Sequence, residues 1–65
     1  MTKVFFVFAI VYLSKATKEK RMYVGACTYE HWDDAYKAMI HQQSRMRKDG
    51  LFIYKSDVFR KVVKL

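Results

Sequence analysis

The sequence contains few of the residues that form turns, disulfides and phosphate-binding loops. Its 65 residues include no proline, two glycines and one cysteine. A single cysteine excludes an internal disulfide, and no CxxC or HxxxH spacing indicates a structural metal site. Two glycines are too few for a phosphate cradle. We therefore expect one small domain, residues 1–65, that depends on apolar packing for its stability.

Acidic residues are also scarce. Six Asp and Glu stand against 13 Lys and Arg, which gives a net charge of +7. Such a field attracts nucleic acid, acidic proteins and anionic membranes. Apolar residues make up 52% of the chain and aromatic residues 17%. The lone thiol fits a reducing compartment, so we predict a cytoplasmic protein.

Residues 4–13 form an unbroken apolar run, VFFVFAIVYL. A strand with one buried face should alternate apolar and polar residues, whereas here both faces are apolar. The run is about half the ~20 residues that a membrane-spanning helix needs. Lysines and an arginine follow it without a cleavage site, which argues against a signal peptide. We predict a strand from Lys3 to Leu13 and closure of part of its surface by another protein chain.

The next segments predict a hairpin and a helix. Residues 14–20 are polar and are typical of a hairpin loop, which makes the strand Arg21 to Cys27 antiparallel to the first. Thr28 is the expected helix N-cap and Gly50 the terminator. The helix is expected to run to Lys48 and to bury an apolar stripe: Trp32, Ala35, Tyr36, Met39, Ile40, Gln43 and Met46. From the second strand, Met22, Val24 and Ala26 are expected to pack against this stripe.

The fold class that follows is α+β, a three-stranded antiparallel sheet with one main helix on one face, in the order ββαβ. Leu51 to Tyr54 are predicted to form the third strand. Residues 57–64 fit a short helix or a continued strand nearly equally well. Unless this segment folds over the second face of the sheet, an apolar patch of several hundred Å2 remains exposed.

No combination of residues indicates catalysis. Cys27, His31 and His41 lack a fourth zinc ligand, so we expect a buried thiol and two solvated helix histidines. Asp33 is expected to pair with Lys37 on the helix surface. No nucleophile–base set is present. The sequence thus predicts a protein that is not an enzyme, with no catalytic residues, metal or cofactor.

Basic residues form two groups that support a second candidate function, binding of RNA or DNA. Lys18, Lys20 and Arg21 lie in and after the hairpin loop, and Lys37, Arg45 and Lys48, with His41, recur on one side of the helix. Aromatic residues among such charges can stack on bases. The alternative is a solvated surface that keeps a small apolar protein in solution.

The N-terminal third resembles a known family. Lys3-Val4-Phe5-Phe6, Ser14, Thr17-Lys18-Glu19 and Met22 are similar, without a gap, to the opening of the Dmd family, the discriminators of mRNA degradation of T-even bacteriophages. Ala35 keeps this register, and Lys37-Ala38-Met39-Ile40 resembles a helical stretch of the family after a two-residue shift.

The resemblance implies an antitoxin-like protein that binds a bacterial endoribonuclease toxin of the RNase LS type in the host cytoplasm, shields its active site and so preserves phage mRNA. In that family a tryptophan near the helix start contacts the toxin. Trp32 lies in that region, whereas Tyr29 stands at the aligned position. Inhibition of another host enzyme is a further alternative. No membrane is an expected partner, and a homodimer remains open. The nominated partner-binding residues are Trp32, Tyr29, Tyr36, Phe5 and Tyr12.

Overall fold

A computed structural model describes residues 1–64. Four elements follow in the order ββαβ: β1 Thr2–Leu13, β2 Lys20–Val24, α1 Trp32–Lys48 and β3 Phe52–Lys64. They form a three-stranded antiparallel sheet with one helix, which confirms the predicted α+β class. Among residues 1–64, no helix is long and apolar enough to cross a membrane.

β1 is the central strand of the sheet, which has the order β2-β1-β3. It pairs with β3 along its whole length, from Thr2 opposite Lys64 to Leu13 opposite Phe52, with an irregularity after Val11. β2 covers only the second half of the other edge, opposite residues 9–13. Backbone hydrogen bonds between Phe6 and Tyr29 extend this edge. Both edges of β1 therefore have hydrogen-bond partners, as buried backbone requires.

The C-terminal segment is a strand. The third strand is much longer than the predicted Leu51 to Tyr54, because β3 continues for 13 residues to Lys64. A helix at residues 57–64 would leave the N-terminal half of β1 without a partner on this edge. The hydrogen-bonding demand of β1 thus decides between two patterns that the spacing of the valines leaves open.

β2 ends at Val24 and not at Cys27 as predicted. Gly25 donates its N–H to the carbonyl of Phe8 at 3.0 Å, and a Cβ at Gly25 would lie 2.7 Å from the Phe8 ring. The helix likewise starts later than expected, with His31 and not Thr28 at the N-cap position and no side-chain capping bond. Tyr29 is held in the bridge to Phe6, so the helix cannot begin before it.

The expectation that Met22, Val24 and Ala26 pack against the helix is wrong. Tyr23, opposite Ile10, faces the helix instead, while Met22 is 65% exposed on the other side and Ala26 lies beyond β2. The helix connects β2 to β3, which are parallel to each other and flank β1.

The handedness of this connection explains which face the helix covers. Phe6 and Phe8 make backbone hydrogen bonds toward the β2 side, to Tyr29 and Gly25. Because these bonds point toward β2, a helix packed on the face that carries the Phe8 side chain joins β2 to β3 by a right-handed crossover. Connections of this type are right-handed in about 98% of known cases. Chirality therefore places the helix over Phe8 and Ile10.

The core is small and lies between the helix and this face. Phe8, Ile10, Met39 and Met46 are its buried centre. Partly buried side chains surround it, namely Tyr12, Tyr23, Tyr29, Ala38, Leu51, Ile53 and Val58. Gln43 is also buried and donates a hydrogen bond to the hydroxyl of Ser56 on β3. This bond satisfies a polar group that would be costly to bury alone.

The helix ends as the sequence predicts. Gly50 has φ +79° and donates its N–H to Arg47, and Leu51 donates to the carbonyl of Met46. These two bonds form a Schellman motif, in which a left-handed residue closes the helix. Leu51 then packs against the core, so the helix stop also fixes the start of β3.

Gly50→Ala should lower the free energy of unfolding by about 1–2 kcal/mol, because alanine is strained at this φ. Gly50→Asn should lose less, since asparagine tolerates the left-handed region. Urea denaturation of the three proteins measures both changes. Equal losses would instead assign the cost to crowding, because either new Cβ would lie 2.6 Å from Cε and Nζ of Lys15.

Candidate functional site

The helix exposes a row of apolar side chains next to the side that it buries. Ala35, Met39, Gln43 and Met46 face the core and are buried. Trp32, Tyr36 and Ile40, four residues apart, are exposed by 48%, 42% and 42%. We call these three residues the aromatic stripe. The predicted seven-residue apolar stripe is therefore buried only in part.

Two rings of the aromatic stripe are stacked. The centroids of Trp32 and Tyr36 lie 5.0 Å apart with their planes at 14°. Residues at i and i+4 lie one above the other on a helix, so the helix itself positions this pair. Offset stacking of aromatic rings is favourable beyond the area that it buries. The result is a pre-ordered apolar platform near the start of the helix.

The structure brings together only part of the nominated partner-binding set. Trp32 and Tyr36 are adjacent and exposed. Tyr29 and Tyr12 are partly buried and pack against the core. Phe5 lies on the sheet face away from the helix, with Nζ of Lys3 5.2 Å from its ring centroid. A single partner surface on the helix side therefore includes Trp32 and Tyr36 and excludes Phe5.

The nominated cations are all exposed: Lys18, Lys20, Arg21, Lys37, Arg45 and Lys48. The last three, with His41, recur along one side of the helix, turned away from its buried residues. Lys18 lies in the hairpin loop with φ 61°, and Nζ of Lys20 sits 3.9 Å from the Tyr54 ring centroid. Loop and helix cations thus remain two separate groups.

Two ion pairs occur within residues 1–64, and neither involves the helix. Lys3 contacts Glu30 at 3.1 Å and Lys55 contacts Asp57 at 3.7 Å. The predicted pair between Asp33 and Lys37 is not among them. The hydrogen bond from Lys3, together with its charge, lowers the pKa of Glu30. The helix cations therefore keep their charge free of ion pairs in the part of the chain that the structure describes.

A shallow cleft of about 420 Å3 separates the helix from the end of β2 and the loop after it. Tyr23, Tyr29, Lys37 and His41 are among its lining residues. Cys27 also lines it and is exposed, so the prediction of a buried thiol is wrong. His31 and His41 are exposed, as expected. Within residues 1–64 no group of three or more His, Cys, Asp or Glu could hold a metal ion.

The sheet face opposite the helix is a second apolar surface, which we call the open sheet face. Its side chains come from all three strands: Phe5, Val7, Ala9, Val11, Leu13, Met22, Val24, Phe52 and Phe59. Sequence reasoning anticipated an uncovered face but assigned Met22 and Val24 to the helix side. The handedness of the crossover gives the correct side once the strand order and the bond direction of Phe8 are known.

Comparison with protein-family models found no match, and comparisons with curated proteins and with solved structures found none at a significant level.

Trp32→Ala should leave the fold intact and lower the free energy of unfolding by no more than about 1.5 kcal/mol, because half of the side chain is already in water. Met39→Ala, a buried site on the same helix, should cost about 2–5 kcal/mol. Urea denaturation with circular dichroism measures both. If Trp32→Ala costs as much as Met39→Ala, Trp32 is part of the core and not of a binding surface.

Proposed function

We propose that this protein acts by binding another protein, as an antitoxin-like inhibitor of a bacterial endoribonuclease of the RNase LS type, and that it thereby protects phage mRNA. The observation that carries the proposal is the stacked, half-exposed pair Trp32 and Tyr36. Tryptophan and tyrosine are the residues most enriched among the energetic hot spots of protein interfaces. An ordered pair also loses little conformational freedom when a partner covers it.

The charge around the helix supports a protein partner with an acidic surface. Lys37, Arg45 and Lys48 are exposed and lie on the same helix as the aromatic stripe. Complementary charge at the rim of an interface accelerates encounter and selects partners, while apolar anchors supply most of the affinity. An inhibitor that occupies the active site of a nuclease must bind it more tightly than RNA does. A large aromatic side chain buried in the interface supplies such affinity.

The choice of an endoribonuclease toxin rests on the resemblance to the Dmd family in the N-terminal third. In that family a tryptophan near the helix start contacts the toxin. Trp32 is the first residue of α1, and its ring is available to a partner. Tyr29, at the aligned position, is partly buried against the core. The role in binding is therefore proposed for Trp32, with Tyr36 as its neighbour.

Co-expression with an RNase LS-type toxin, pull-down and an RNA-cleavage assay test the proposal. The wild-type chain should form a stoichiometric complex and block cleavage. Trp32→Ala should weaken binding by about thirtyfold or more, the loss of a hot spot of at least 2 kcal/mol. Phe52→Ala is the matched control, because Phe52 is a still more exposed aromatic residue, on the open sheet face.

Full inhibition by Trp32→Ala would contradict the assignment of the helix surface. No complex with any toxin of this type would contradict the antitoxin function. An equal loss in Phe52→Ala would move the binding surface to the other side of the sheet.

The cleft beside the helix favours one alternative, binding of single-stranded RNA or DNA. Tyr23 and Tyr29 line it together with Lys37 and His41, which combines aromatic rings with cationic groups. Such a combination stacks bases and holds phosphates without sequence preference.

Salt separates the two functions. If RNA is the ligand, replacing Lys37, Arg45 and Lys48 together by Gln should reduce RNA affinity. The slope of log affinity against log salt should then fall by the amount expected for about three lost phosphate contacts. A complex anchored on Trp32 should instead lose little affinity as salt rises. Fluorescence titration of labelled RNA and of the toxin from low to high NaCl measures both. Salt-insensitive or undetectable RNA binding would exclude the alternative.

A further inference from the structure

The open sheet face has no cover within the described part of the chain. The single helix lies on the opposite face, and the C-terminal segment, which was the available cover, forms β3 at the edge. Met22, Phe52 and Phe59 on this face are exposed by 65%, 62% and 51%. A layered protein normally buries both faces of an apolar sheet. Residues 1–64 supply no such layer for this face.

The solvent-accessible area and the radius of gyration of the chain indicate how much surface a covering layer would bury. A compact protein of 7.8 kDa should expose about 4,400 Å2, whereas this chain exposes 5040 Å2. Its radius of gyration is 13.3 Å, against about 11 Å for a compact chain of this length. The excess area, roughly 600 Å2, approaches the ~800 Å2 that each partner buries in a standard stable interface.

The charges on this face favour a second copy over an acidic partner. The two ion pairs of residues 1–64 are Lys3 with Glu30 and Lys55 with Asp57. The strand register places both lysines on the open sheet face. Lys20 is held over the ring of Tyr54. Lys61, opposite Phe5, is the one lysine of this face without such a contact among residues 1–64. Carboxylates therefore neutralise half of the lysine charge on this face, which lowers the repulsion between two copies of a chain with net charge +7.

The face also carries both a depression and projecting side chains. Ala9, the small residue of the central strand, lies at the bottom of a depression of about 190 Å3. Val11, Met22 and Phe59 are among its walls, and Met22 and Phe59 project into solvent. In a two-fold arrangement each copy offers the same depression and the same projections to the other, which is the requirement of an isologous interface.

We propose that two copies of this chain pack through their open sheet faces into a symmetric dimer. The two three-stranded sheets form the inner layers, about 10 Å apart, and the helices lie outside. Such a dimer leaves both copies of the aromatic stripe exposed. The proposal is independent of the toxin-binding function, because it uses the opposite side of the sheet.

Sedimentation velocity over a range up to about 100 µM protein tests the proposal, since a dimer with Kd near 1 µM is nearly complete there. The wild-type chain should sediment with twice its monomer mass. Higher salt should leave the dimer intact or strengthen it, because salt screens repulsion between two basic chains. Phe59→Lys should raise the dissociation constant by at least about tenfold.

Val62→Lys is the matched control. Both residues are on β3, both are about half exposed, and each change adds one positive charge, but Val62 pairs with Val4 on the helix side. Val62→Lys and Trp32→Ala should therefore remain dimeric. Met22→Lys tests the same face from β2 if Phe59→Lys fails to fold by circular dichroism. A monomeric wild-type chain at 100 µM, or equal weakening by Phe59→Lys and Val62→Lys, would overturn the proposal.

Discussion

Pairing of β1 along both edges is the constraint on which the rest of the structure depends. The strand is apolar at ten consecutive positions, so its backbone cannot be left to water on either side without exposing a sticky edge. β3 satisfies one edge over its full length, while β2, Gly25 and Tyr29 satisfy the other from Phe6 onward. With every strand committed to pairing, only one helix remains as cover. One face of β1 becomes the core and the other stays open.

The two exposed apolar surfaces differ in a way that suits different partners. The aromatic stripe is narrow, ordered by stacking and carried by the same helix as cations that have no ion pair among the described residues. The open sheet face is broad, and two of its four lysines, Lys3 and Lys55, are paired with carboxylates. The first surface fits an acidic partner that is anchored by aromatic rings. The second fits a copy of the same chain.

Such a small core also explains why partners matter to this protein. Among residues 1–64 few side chains are fully buried, and Ile10 alone of the large ones has no exposure. A chain of this size has a thin margin of stability without disulfides or metals. Covering an apolar surface with a partner that binds only the folded chain stabilises it by mass action. Binding and folding are therefore linked in this protein more closely than in a larger domain.

The sequence by itself determined the order ββαβ, the helix stop at Gly50 and the aromatic residues near the helix start, because these follow from local periodicity and backbone preference. It left residues 57–64 open between helix and strand, and pairing with β1 made them part of β3. It did not determine which set of β1 side chains the helix covers, since both sets are apolar. The handedness of the β2–α1–β3 crossover decided that, and with it the exposure of Met22 and the burial of Tyr23. Nor did spacing separate Trp32 and Tyr36 from Met39 on the helix. A helix packed on a sheet buries only a central strip of its surface and leaves both flanks exposed. Trp32 and Tyr36 are exposed because they lie on such a flank, whereas Met39 lies in the buried strip.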